Sequence, residues 1–74
     1  MTPRFPTLTP RKMVKALKKA GFREHSQKGS HLYLRHSDGR WTTVPMHARD
    51  LKRGLMFSIL EQADINPDDF LKLL

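Results

Sequence analysis

Cysteine is absent from this 74-residue chain. Disulfides and thiolate metal sites are thereby excluded, and a reducing compartment suits the sequence. No apolar run approaches the ~20 residues that a membrane span needs. The segment Met1-Thr2-Pro3-Arg4-Phe5-Pro6 lacks the apolar core of a secretory signal. The expectation is a soluble, cytoplasmic protein with no membrane partner. No glycine-rich phosphate loop is present, so neither ATP nor a dinucleotide is expected, and no cofactor is assigned. Acidic residues are also scarce, at 7 against 14 Lys plus Arg, for a net charge of +7. The imbalance is uneven: residues 1–53 hold 13 basic and 3 acidic side chains (+10), whereas residues 54–74 hold 1 and 4 (−3). A basic body with an acidic tail points to a polyanionic partner, nucleic acid first. The plainer explanation of the same charge is a solvated basic surface that keeps a small protein soluble.

What remains is enough for one small domain over residues 1–74. A domain of this size buries only roughly 60% of its unfolded surface. Its core should be thin and any active site shallow and open, which suits a polymer substrate better than a small metabolite. Residues 1–8, with Pro3 and Pro6, read as an extended arm. Thr9-Pro10 is a helix start, and the helix should run to about Ala20, with Met13, Leu17 and Ala20 on one stripe and Val14 beside them. Arg11, Lys12, Lys15, Lys18 and Lys19 cover the rest of its surface, and Gly21 is placed to end it. Three strands follow, at about Phe22–Gln27, Ser30–His36 and Trp41–Val44. Lys28-Gly29 makes the first turn, Asp38-Gly39 signals a hairpin, and Pro45 ends the third strand. A second helix is expected over about Arg53–Ala63, with Leu55, Ile59 and Leu60 on its buried face and Met56 or Phe57 alongside. Gly54, near its start, provides for close packing or a turn. Asn66-Pro67 opens a short last helix, Pro67–Leu73, whose Asp68 and Asp69 complement its positive end. The class is therefore α+β, in the order α-β-β-β-α, with two helices covering one face of a three-stranded antiparallel sheet.

The other sheet face holds the candidate chemistry. In Leu32-Tyr33-Leu34-Arg35 the leucines share one face, so His31, Tyr33 and Arg35 share the other and meet solvent. An exposed imidazole on a rigid strand amid positive charge is suited to moving protons on a phosphate backbone. RNA carries its own nucleophile, the 2′-hydroxyl. A protein that cleaves it needs a base, an acid and positive charge at the phosphate, which Lys28, Arg35 and the first helix supply. The same residues have ordinary explanations: a solvated strand histidine, a turn serine at Ser30, a cross-strand partner at Tyr33. Trp41 belongs either to the thin core or to a stacking platform, and the core is the expectation. His47, after Val44-Pro45-Met46, either bonds within its own loop or sits beside His31. His25, His31, His36 and His47 have no metal-ligand spacing, so no metal is assigned.

Gly21-Phe22, Gln27-Lys28-Gly29-Ser30-His31, Val44-Pro45-Met46-His47, Leu51-Lys52-Arg53-Gly54-Leu55 and Ile59-Leu60-Glu61-Gln62-Ala63, in this order and spacing, resemble the HicA family. The resemblance runs from about Thr9 to Phe70. It implies a fold like the double-stranded-RNA-binding domain (dsRBD), and the activity of an mRNA interferase toxin of a type II toxin–antitoxin pair. It implies an endoribonuclease whose catalytic histidine is His31; Lys28, Gly29, Ser30, Tyr33, Arg35 and His47 are the residues expected to bind RNA or support the site. It also implies a HicB-type antitoxin that binds and masks a free toxin expected to be monomeric. Ser26 stands where many members carry Arg, and Leu55 where many carry a small polar residue. The alternatives are a non-catalytic double-stranded-RNA-binding module, for which Arg49, Lys52 and Arg53 are well placed, and a DNA-binding regulator, for which no clear recognition helix is evident.

Overall fold

The computed structural model describes residues 6–74. Residues 1–5, most of the expected arm, lie outside it. The elements are α1 (Pro10–Lys19), β1 (Phe22–Lys28), β2 (His31–His36), β3 (Trp41–Pro45), α2 (Arg53–Ala63) and α3 (Pro67–Leu71). The strands form one antiparallel sheet in the order β1-β2-β3. The arrangement is α+β, of the dsRBD-like α-β-β-β-α type. No helix among the described residues is long and apolar enough to cross a membrane.

Local chemistry explains where α1 begins and ends. Thr9 Oγ1 accepts the Lys12 N–H at 3.3 Å, and Pro10 occupies the first turn, where its missing N–H costs nothing. Met13, Val14, Ala16 and Leu17 turn inward. Lys18 and Lys19 lie at the negative end of the helix. Gly21 follows with φ +100°, a left-handed value that side chains other than glycine's adopt only with strain. A Cβ at this position would also lie 2.7 Å from His36 Nε2.

The core gathers Met13 and Leu17 of α1, Leu32 and Leu34 of β2, Val44 of β3, Met56, Ile59, Leu60 and Ala63 of α2, and Phe70 of α3. Leu8 and Leu51 join it through an isolated antiparallel bridge, in which the Leu51 N–H donates to the Leu8 carbonyl at 2.7 Å. The end of the expected arm is thus tied down. Among the described residues one polar side chain is fully buried, that of Thr42. Its hydroxyl lies 3.0 Å from the Ile59 carbonyl and 3.1 Å from Gln62 Oε1, and Gln62 Oε1 also accepts the Thr43 N–H at 3.0 Å. These contacts fasten the edge strand β3 to α2 and satisfy groups that burial would otherwise penalise.

Arg40, two residues before Thr42, performs a similar task at the hairpin. The β2–β3 hairpin turns through Ser37-Asp38-Gly39, with the His36 N–H donating to the Arg40 carbonyl at 2.8 Å. Arg40 Nε donates to Asp38 Oδ2 at 2.8 Å, and Nη1 reaches the Ala63 and Asp64 carbonyls at 3.2 and 3.3 Å. The guanidinium lies 5.3 Å from the centre of the Phe22 ring. It therefore caps the carbonyl end of α2 and pins the hairpin to it.

Four expectations are corrected. Trp41 is 46% exposed and lies outside the core: Val44 and Thr42 set the inward phase of β3, and Trp41 has the opposite parity. Leu55 is 40% exposed, because the inward stripe of α2 runs through Met56, Ile59, Leu60 and Ala63. The last helix ends at Leu71 rather than Leu73. Nothing stands within 4 Å of a Cβ added at Gly54, so close packing is not its role.

These contacts set two expected outcomes. Gly21→Ala, with its strained φ and its clash with His36, is expected to destabilise the fold by about 1–3 kcal/mol. Gly54→Ala, in open helical space, should stabilise it by about 0.4–1 kcal/mol. Urea unfolding measures both, and equal midpoints for the two variants would contradict this reading. The second outcome concerns Asp38. The Arg40 backbone N–H, with the Arg40 side-chain hydrogen bond and the charges of Arg40 and His36 acting in the same sense against a desolvation that raises it, holds the Asp38 carboxyl below its ordinary 3.8. A depressed folded pKa gives stability that is present above the unfolded value and lost as pH falls through the folded one. The advantage of wild type over Asp38→Asn in thermal melts should therefore shrink on acidification from about pH 5 to pH 2. An advantage constant across that range would show that the carboxylate charge is not what holds the turn.

Candidate active site on the open sheet face

The alternation of β2 sends His31, Tyr33 and Arg35 to the exposed side of the sheet. Cross-strand register builds three rows on that side. Lys28, His31 and Pro45 form the first, Ser26, Tyr33 and Thr43 the second, and Arg23, Arg35 and Trp41 the third. A register shift between Glu24 and Ser26 leaves His25 without a partner in β2.

His31 owes its position to the turn before it. Gly29 has φ +58°, at the first position of a two-residue turn, where glycine is favoured. Gln27 Nε2 donates to the Gly29 carbonyl at 3.1 Å, and the Met46 N–H donates to the Ser30 carbonyl at 2.6 Å. The second of these bonds joins the β1–β2 turn to the segment that leaves β3. That segment reverses at once, its Ala48 N–H donating to the Pro45 carbonyl at 3.3 Å. The reversal brings His47 beside His31, with ring centroids 5.9 Å apart and planes at 62°. Of the two places open to His47 from the sequence, the structure shows the one next to His31. Gly29 and Ser30 thus act through the backbone: one supplies the turn, the other the carbonyl that docks the second motif.

Both imidazoles are exposed, and Lys28 stands opposite His31 in the register. Among the described residues no carboxylate pairs with either ring, and no three His, Asp or Glu side chains converge as a metal site would need. The pair can hold one base and one acid on a positively charged surface that a polymer can reach.

The remaining candidates divide. Tyr33 lies next along the face and stacks on Trp41, with centroids 5.8 Å apart and planes 21° from parallel. Trp41 therefore belongs to the open face, which the core expectation missed. Its parity is opposite to that of Val44, but the sequence does not say which of the two faces inward. Arg35 sits between Arg23 and Trp41, and among the described residues neither arginine is ion-paired. The α1 lysines are partly committed to the fold: Lys18 pairs with Glu24, and Lys19 Nζ donates to the Leu73 carbonyl at 3.2 Å. Arg49, Lys52 and Arg53 are exposed around the start of α2, with the Arg53 guanidinium 5.4 Å from the centre of the Phe57 ring.

The family model described as HicA toxin of bacterial toxin-antitoxin systems matches residues 10–65. No curated protein matches the chain. The family match begins with the first residue of α1, ends just beyond α2, and takes in the whole sheet with both histidine-bearing turns, so this chain belongs to the HicA toxin family.

Proposed function

We propose that this chain is the mRNA-cleaving toxin of a type II toxin–antitoxin pair, an endoribonuclease that uses His31 as general acid/base and is neutralised by a HicB-type antitoxin. The observation that carries the reading is the His31–His47 pair, two exposed imidazoles 5.9 Å apart at the Lys28 end of an open basic face. In the reaction, the neutral imidazole of His31 takes the proton of a 2′-hydroxyl. The freed oxygen attacks the adjacent phosphorus, and the bond from phosphorus to the 5′-oxygen breaks. His47, as imidazolium, gives its proton to that departing oxygen. The products are a 2′,3′-cyclic phosphate and a 5′-hydroxyl, with the proton count unchanged. Lys28 and Arg35 stabilise the charge gathering on the phosphate oxygens. The RNA supplies the nucleophile, so the chemistry needs no metal and acts on RNA rather than DNA.

The same face explains the partner. A free monomer of net charge +7 with exposed imidazoles and aromatics offers an acidic or apolar antitoxin a surface to cover. In the cytoplasm, where mRNA is reached, that cover controls the activity.

Each imidazole is expected to contribute about 10²–10⁴-fold to the cleavage rate. His31→Ala should lose cleavage while RNA affinity stays largely intact, and His47→Ala should fall by a comparable factor. The wild-type rate should trace a bell against pH, because one imidazole must be neutral and the other protonated. Single-turnover cleavage of purified RNA, with mass detection of the cyclic phosphate, reads all three. A rate flat from about pH 5 to 8 would remove the histidines from the chemistry. Uncut RNA with salt-sensitive binding to duplexes would favour the double-stranded-RNA-binding module.

A further inference from the structure

Proton transfer at His31 leaves part of the open face unused. Tyr33 and Trp41 are stacked there with 37% and 46% of their surfaces exposed. The phase of β3 explains why position 41 points outward, but it does not call for an aromatic side chain. Trp41 lies opposite Arg35, and Arg35 lies opposite Arg23. Like charges directly opposed across a sheet cost stability. This pair is kept beside the aromatic stack, and among the described residues no carboxylate neutralises it. Next to it, an open depression of about 600 Å³ is lined by Arg23, Glu24, His25, Arg35 and His36, the Glu24 carboxylate being paired with Lys18.

Exposed π faces beside unneutralised guanidinium groups match two features of one nucleotide, its base and its phosphate. Only an unpaired strand presents both together, because a duplex hides its base faces in the stack. We infer that Tyr33 and Trp41 form a base-stacking subsite for single-stranded RNA, with Arg35 and Arg23 holding the adjoining phosphate. The subsite rests on the ribonuclease reading only in assigning the neighbouring phosphate to His31. His31 and Tyr33 are two residues apart on one face of β2, roughly 7 Å along the strand. A base on the stack is therefore a near neighbour of the phosphate being cut. Stacking is tolerant of base identity, so the subsite selects unpaired RNA rather than a sequence.

Trp41 is the only tryptophan of the chain, so its emission reports on this subsite alone. The probes are a short oligouridylate and an RNA duplex of equal length, titrated into His31→Ala protein so that the RNA stays uncut. The expected result is saturable quenching of Trp41 by the single strand and little by the duplex. Trp41→Ala, added to that background, should weaken binding of labelled oligouridylate about 5- to 100-fold, while Trp41→Phe keeps most of the affinity. Circular dichroism melts confirm that these exposed substitutions leave the fold intact. Unchanged emission at RNA saturation would overturn the subsite, as would Trp41→Ala binding within about twofold of its parent. A Trp41→Ala protein that loosens only a bound antitoxin would overturn it too, since the aromatics would then serve a protein partner. Cleavage by wild type is scored separately. Quenching without cleavage keeps the subsite and removes the ribonuclease reading, and cleavage without quenching does the reverse.

Discussion

Leu32 and Leu34 are buried in the core, and β2 is hydrogen-bonded on both of its edges. A slip of one residue in that register would turn both leucines to water and drive His31, Tyr33 and Arg35 into an apolar interior. The cost of burying an imidazole, a phenol and a guanidinium without partners makes the slip prohibitive. The phase of this one strand decides which side of the sheet is core and which is surface. Everything attached to the open face inherits its position from that choice.

The other contacts preserve this phase at the places where a small fold is weakest. Gln62 and Thr42 fasten the edge strand to α2, and Arg40 joins the hairpin to the carbonyl end of the same helix. At the opposite end of the sheet, the bond from the Met46 N–H to the Ser30 carbonyl ties two turns together. That backbone bond is what assembles the candidate site, because it brings a histidine after β3 to one at the start of β2. The imidazoles themselves are left free of structural partners among the described residues. A group that must gain and lose a proton on a substrate is best held by its backbone rather than through its ring.

Much of this was legible in the residues. Thr9-Pro10 and Gly21 bracket α1 through chemistry local to each end, and the alternation Leu32-Tyr33-Leu34-Arg35 states the phase of β2 directly. His31 was legible both as an exposed strand imidazole and through the family resemblance. Trp41 was not, because Trp-Thr-Thr-Val has a large hydrophobe at each parity. The tie is broken by Thr42, whose hydroxyl finds acceptors on α2 that only the tertiary structure supplies. Leu55 failed in the same way: on α2 it lies beside Met56, and packing rather than hydrophobicity chose between them. The place of His47 depends on a bond between segments distant in the chain, which spacing alone does not encode. Features set by local backbone chemistry were readable, and those set by contacts between elements were not.

A small basic fold with a thin core is suited to this division of labour. Its interior has room for packing but not for a deep pocket, so the proposed chemistry would lie on a surface that its own helices leave uncovered. An antitoxin can silence such a face by covering it. The most direct test of His31 as the source of toxicity is induction of the wild-type chain and His31→Ala side by side in a bacterial host, with growth and mRNA integrity followed together. Growth arrest with loss of mRNA is predicted for the wild type only. Equal arrest by both chains, or intact mRNA and unimpaired growth despite soluble expression of the wild type, would contradict it.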